Sequence, residues 1–148
     1  MKNSILYFAY GSNIDQQRMK KRCSTAEFLS KGFISNYNIC FNRKGTYIEG
    51  GVASIESNKG RNVYGIVYKI SKEDLDTLDY IEDPSAYIRK SIKVQIPNNK
   101  FLNCYLYVSI PEIEISPNQE YLENIIKHAS VHNFPEEYID YLREFQFK

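Results

Sequence analysis

The strand-like runs of this chain follow one another across turns rather than across helices, and this limits its fold more than any other feature. Residues 5–10 (Ile-Leu-Tyr-Phe-Ala-Tyr) form an unbroken apolar run of strand length. Residues 37–42 alternate, residues 52–55 resume after Gly50-Gly51, and residues 62–70 follow the turn signal Asn58-Lys59-Gly60. The segments 52–55 and 62–70 therefore read as a hairpin. Residues 88–96 and 101–108 flank Pro97-Asn98-Asn99-Lys100 and read as a second hairpin. Helical signals are fewer. A short helix is expected over about 14–22, after the turn at Gly11-Ser12. Another spans 71–82, capped by Ser71 with Asp74 three residues on. A third starts at Ser116-Pro117 and runs to about 131, and Pro135 opens a last one to about 145. Strict β-α-β alternation is absent. The pattern predicts an α+β fold built on a mixed or antiparallel sheet, with a barrel as one way for that sheet to close.

The 148 residues fit one domain spanning 1–148. A chain of this size buries enough surface to need no staples. Lys plus Arg total 19 against 18 Asp plus Glu. That balance gives no electrostatic case for a nucleic-acid or acidic-membrane partner. The short cluster Lys20-Lys21-Arg22 sits at the end of a predicted helix, where the dipole alone favours cations. Cys23, Cys40 and Cys104 are odd in number and lack CxxC spacing, so they read as reduced packing residues of a cytoplasmic chain. The run Ile5 to Tyr10 is too short for a signal-peptide core or a membrane span.

Glu82 is the most informative residue. With Leu75 placed at the origin of a wheel turning about 100° per residue, Leu78 falls near about 300° and Glu82 near about 340°. Glu82 thus shares the apolar face, whereas Glu73, Asp74 and Asp76 lie on other faces or near the N-terminus, where the dipole favours them. A carboxylate beside apolar groups at a helix C-terminus has a raised pKa, which suits proton transfer near neutral pH. The wheel leaves a second reading open: Pro84 ends the helix early and Glu82 turns into solvent.

The loop Tyr10-Gly11-Ser12-Asn13 joins a buried strand to a helix. Gly11 permits a sharp turn and close approach of a ligand. The N–H groups of Gly11, Ser12 and Asn13 are placed to converge on an anion. The residues also allow a plain turn with Ser12 or Asn13 as helix cap, which is the commoner arrangement. The loop lacks the glycines and lysine of a phosphate loop, which disfavours nucleotide binding. His128 and His132 stand four residues apart on a helix, but no nearby Glu or Cys completes a metal set, so no metal is expected. Tyr87, Tyr105, Tyr107 and Tyr138 suit a cleft wall or a core equally well.

Taken together, the segment from Leu6 to Asn13 (Leu-Tyr-Phe-Ala-Tyr-Gly-Ser-Asn) resembles the opening of γ-glutamylcyclotransferases and their AIG2-like relatives. Residues 50–55 followed by 63–68 are similar to that family's central hairpin, and Leu78-Asp79-Tyr80-Ile81-Glu82 resembles its Leu-Asp-x-x-Glu. Phe134-Pro135-Glu136-Glu137-Tyr138 also looks familial, so the resemblance runs from about Leu6 to Leu142. It implies a mixed sheet curled into a small barrel with peripheral helices, and a cofactor-free cyclisation of a γ-glutamyl compound to 5-oxoproline. It also implies Glu82 as the acid/base, and substrate contacts from Tyr10, Gly11, Ser12, Asn13 and Tyr87. One departure stands out: Asp83-Pro84 follows the catalytic Glu where the family usually has Gly. A γ-glutamylamine or another γ-glutamyl metabolite as substrate, or a cleft that only binds such ligands, are the rival functions. A monomer and a homodimer both fit.

Overall fold

The structure is a computed structural model and describes residues 5–45, 49–82 and 85–147. Strand β1 (Ile5–Ala9) leads through a 3-10 turn (Ser12–Ile14) into helix α1 (Gln16–Arg22). Two long strands follow, β2 (Glu27–Lys44) and β3 (Gly51–Ile70), then helix α2 (Lys72–Ile81). The hairpin β4 (Tyr87–Ile96) and β5 (Lys100–Ser109) precedes helices α3 (Gln119–Val131) and α4 (Glu136–Arg143). The strands close into a barrel in the order β1-β3-β2-β4-β5. Only the closure between β1 and β5 is parallel, pairing Tyr7 with Tyr105; the other neighbours are antiparallel. The sheet is therefore mixed, as expected, and the second hairpin falls where the turn residues put it.

The first expected hairpin does not form. Residues 52–55 and 62–70 belong to one strand, β3, and both pair with β2: Ile39 opposes Ile55 and Phe33 opposes Tyr64. Between Ser35–Asn62 and Tyr37–Ser57 the register jumps, so residues 58–61 bulge outward. The Gly60 N–H donates to Asn36 Oδ1 at 3.1 Å across the bulge. Turn-forming residues satisfy a wide bulge as readily as a reversal, because both need local departures from extended backbone. Strand β2 also begins ten residues earlier than its alternating segment, at Glu27 rather than at residue 37. Its first half is mostly exposed and shows no alternation to read.

The barrel wall and its covering helices share one apolar cluster. Phe8, Ile34, Ile39, Ile66, Val67, Val94 and Leu106 are buried from the strands, while Leu122, Ile125, Ala129, Ile139 and Leu142 come from α3 and α4. The α3 residues recur at three- and four-residue spacing, so a single stripe of that helix meets the sheet. Gly65 lets β1 cross closely over β3: a Cβ there would lie 2.2 Å from the Ala9 carbonyl and 2.6 Å from the Phe8 ring. Cys23, Cys40 and Cys104 are free and buried, and burial pushes the Cys23 thiol up to about 11. No helix among the described residues is long and apolar enough to cross a membrane.

Candidate active site

Helix α2 carries Glu82 to its place. Ser71 Oγ accepts the Asp74 N–H at 3.1 Å and caps the start of the helix. Leu75 and Leu78 are fully buried and fix which face turns inward. The helix does not fray before Glu82: its N–H donates to the Leu78 carbonyl at 2.8 Å and its backbone is still helical. Glu82 lines a cavity of about 190 Å³. Loss of hydration pushes its carboxyl from the usual 4.5 up to about 7, and the Arg22 guanidinium pulls weakly the other way. A group with this pKa gives up and takes back a proton with equal ease near neutrality.

The loop after β1 forms another side of the same cavity, which Tyr10, Gly11, Ser12 and Asn13 all line. Tyr10 Oη donates to the Tyr107 carbonyl at 2.5 Å, tying the end of β1 to β5. A Cβ at Gly11 would lie 3.1 Å from Tyr121 Oη, so the absent side chain leaves room for that hydroxyl. Ser12 opens the 3-10 turn, and the first N–H groups of such a turn have no partner within it. Asn13 is buried and held on three sides. Its Nδ2 donates to Tyr7 Oη at 3.0 Å, its Oδ1 accepts from Arg22 Nη1 at 3.0 Å, and its carbonyl accepts from Tyr68 Oη at 2.7 Å. The helix cap is neither Ser12 nor Asn13 but Asp15, whose Oδ1 accepts the N–H groups of Gln17 and Arg18. A 3-10 turn delays the helix by two residues, and only at Asp15 is the backbone extended with the helix ahead of it.

Three cations line the cavity with Glu82: Arg18 and Arg22 from α1, and Lys44 from the end of β2. Five tyrosines do so as well, namely Tyr7, Tyr10, Tyr87, Tyr107 and Tyr121. Burial raises every one of these phenols, Tyr121 to about 12, so all remain protonated. Tyr107 Oη donates to Asp79 Oδ1 at 2.6 Å, and Arg89 holds the other Asp79 oxygen at 2.7 Å. Asp79 lies one turn before Glu82 on α2, so this cluster pins that helix to the β4–β5 hairpin.

A family model described as the AIG2-like family matches residues 62–142. The chain is 30% identical over 146 residues to the γ-glutamylcyclotransferase of Homo sapiens, covering 95% of this chain and 78% of that relative. The chain belongs to the AIG2-like, γ-glutamylcyclotransferase family. The γ-glutamylcyclotransferase of Bos taurus is 31% identical over 141 residues, covering 91% of this chain and 75% of the relative. A solved structure described as a γ-glutamyl cyclotransferase aligns with a TM-score of 0.89 at 28% identity, covering 95% of this chain and 86% of that one.

In this member of the family, the structure brings Glu82, Tyr10, Gly11, Ser12, Asn13 and Tyr87 around one cavity. The Asn13 amide does not face a ligand freely, because Arg22 and Tyr7 occupy it. Asp83-Pro84, where the chain departs from the family pattern, lies outside the described residues. Sequence reasoning missed Arg18 and Arg22. The latter looked like a helix-end cation, yet the two stand four residues apart and so share a face of α1. It also could not sort the tyrosines. Tyr107 joins Tyr87 at the cavity, Tyr138 packs in the core against Tyr64 and Phe134, and Tyr105 lies under the Arg89 guanidinium. His128 Nε2 lies 3.3 Å from Asp15 Oδ2, and His132 Nε2 donates to the Ile14 carbonyl at 2.7 Å. Both histidines thus clamp the segment just after the anchor loop.

Proposed function

We propose that this chain is a γ-glutamylcyclotransferase that closes a γ-glutamyl compound on itself, releasing 5-oxoproline and an amine or amino acid without a cofactor. The observation that carries the reading is a carboxyl titrating near 7, Glu82, in the same small cavity as the anchor loop and two guanidinium groups.

Each part answers a need of the reaction. The substrate's α-ammonium is not nucleophilic until it loses a proton, and Glu82 is matched to take it. The γ-glutamyl chain is flexible and must be bent until its α-nitrogen meets its γ-carbonyl carbon. The α-carboxylate, bound by Arg22, Arg18 and the free N–H groups of the 3-10 turn, anchors one end for that bend. Amine and carboxylate share one carbon, so their partners must be neighbours; the Arg22 charge is felt at Glu82, which meets this condition. The C–N bond of the lactam forms and the carbonyl electron pair moves to oxygen. The carbonyl then re-forms and the bond to the departing nitrogen breaks. Two protons in all pass from the attacking nitrogen to the departing one, and Glu82, carrying them in turn, ends as it began.

The test is a panel of γ-glutamyl amino acids and γ-glutamylamines assayed for 5-oxoproline, with Glu82→Gln alongside. Wild type should turn over at least one class and the variant should lose about 10²–10⁴-fold of the rate. A fully active Glu82→Gln would remove Glu82 from the mechanism.

A further inference from the structure

Attack of the α-nitrogen places negative charge on the γ-carbonyl oxygen, and neither Glu82 nor the groups that hold the α-carboxylate meet that charge. A directional chain of hydrogen bonds in the cavity wall supplies one. A guanidinium has only donors, so the Asn13 atom facing Arg22 at 3.0 Å must be the amide oxygen. The amide nitrogen then faces Tyr7 and donates to its Oη at 3.0 Å. The opposite orientation of the amide would set donor against donor at Arg22. The Tyr7 oxygen is thus an acceptor in this chain, and its own proton must point elsewhere. Among the described residues the one hydrogen bond of the Tyr7 hydroxyl is the one it accepts from Asn13. Tyr7 is 4% exposed, lines the cavity, and lies near enough to Glu82 for the carboxylate charge to be felt at the phenol. A buried hydroxyl with an unused proton costs free energy unless something in the cavity accepts it.

Resting on the proposed reaction, we infer that Tyr7 is a catalytic hydrogen-bond donor to the γ-carbonyl oxygen, aimed by the chain Arg22 to Asn13 to Tyr7. The α-nitrogen must lie at Glu82 to lose its proton, and attack brings the γ-carbonyl against that nitrogen, beside Tyr7. The phenol does not ionise; it shares its proton more strongly as charge builds on the oxygen, and lends less to the ground state. The ring is already fixed, with Tyr68 and Tyr107 at centroid distances of 6.4 and 6.1 Å, so the donor needs no reorganisation during reaction.

Tyr7→Phe keeps the ring and its packing and removes only the donor. With wild-type turnover established, kcat should fall about 10²–10³-fold while KM stays within a few-fold. Asn13→Asp offers a second, near-isosteric test. One Asp oxygen still accepts from Arg22, and the other captures the Tyr7 proton and turns it away from the cavity. It should lower kcat similarly, and the double variant should be no slower than the slower single one. A kcat for Tyr7→Phe within about threefold of wild type, or a loss confined to KM, overturns the assignment and leaves the reaction standing. A loss that simply multiplies in the double variant overturns the directional chain. If folded wild type produces 5-oxoproline from no γ-glutamyl compound, the reaction itself fails and this assignment falls with it.

Discussion

Glu82→Gln should make this protein more stable at alkaline pH, and the gain can be worked from the site. The wild-type carboxyl titrates at about 7 in the fold against 4.5 when hydrated. Between those values the native state binds the proton that the unfolded chain has lost, so stability falls as pH rises through this window. Below pH 4.5 both states carry a neutral carboxyl and the cost is absent. Above 7 both are ionised, and the native state bears the whole cost of a poorly hydrated charge, roughly 3 kcal/mol. Glutamine is nearly the shape of the protonated acid and carries no charge at any pH. The stability difference between variant and wild type should therefore be near zero at pH 4.5, grow by about 1.4 kcal/mol per pH unit, and level off at roughly 3 kcal/mol above pH 7. For a chain of this size that is a rise in Tm of roughly 5–10 °C at pH 8. Paired urea unfolding curves from pH 4.5 to 8.5 measure it, and other titrating groups cancel in the difference. Parallel stability profiles would show that the carboxyl is hydrated in the native state, and the raised pKa on which the acid/base role depends would be gone. In the proposed mechanism, the burial that would suit Glu82 to carry protons is the burial that destabilises its charge.

Two further outcomes follow from the same geometry. Since Glu82 must be ionised to accept the first proton, kcat/KM should rise tenfold per pH unit below about 7 and level off above it, measured as initial rates of 5-oxoproline release; an acid limb centred near 4.5 would contradict the pKa. Gly11→Val should raise KM at least about tenfold, because its Cβ alone falls 3.1 Å from Tyr121 Oη and would press on the hydroxyl that accepts the Ala53 N–H at 3.0 Å; unchanged KM would mean that the loop is a turn and not an anchor.

Much of the site was legible because its signals are local. Ser71, Leu75, Leu78 and Glu82 belong to one helix, and a 3.6-residue period tells which of them share a face without knowledge of anything beyond that helix. The resemblance from Leu6 to Leu142 then joined this helix to the Tyr10-Gly11-Ser12-Asn13 loop, and favoured an inward carboxylate over a frayed one. The hairpin at Pro97-Asn98-Asn99-Lys100 was equally local, a turn between two runs that alternate.

Most of the misreadings concern partners distant in sequence. Asn58-Lys59-Gly60 became a bulge because residues 52–57 and 62–69 both pair with β2, and the competition between a reversal and a bulge is decided by which strand lies alongside. Asp15 took the cap because the 3-10 turn before it is held by Tyr68 and His132, each from another part of the chain, and by Arg22 at the far end of α1. Thirteen tyrosines are identical in sequence and differ only in what closes over them. Tyr138 meets Tyr64 and Phe134 and becomes core, while Tyr7 meets Asn13 and a cavity and becomes a donor. The periodic faces, the β4–β5 turn and the odd carboxylate were readable from the chain alone, since these depend on residue spacing along one element. The barrel closure decided the rest, because the direction of a hydrogen bond and the hydration of a charge depend on groups brought together from opposite ends of the chain.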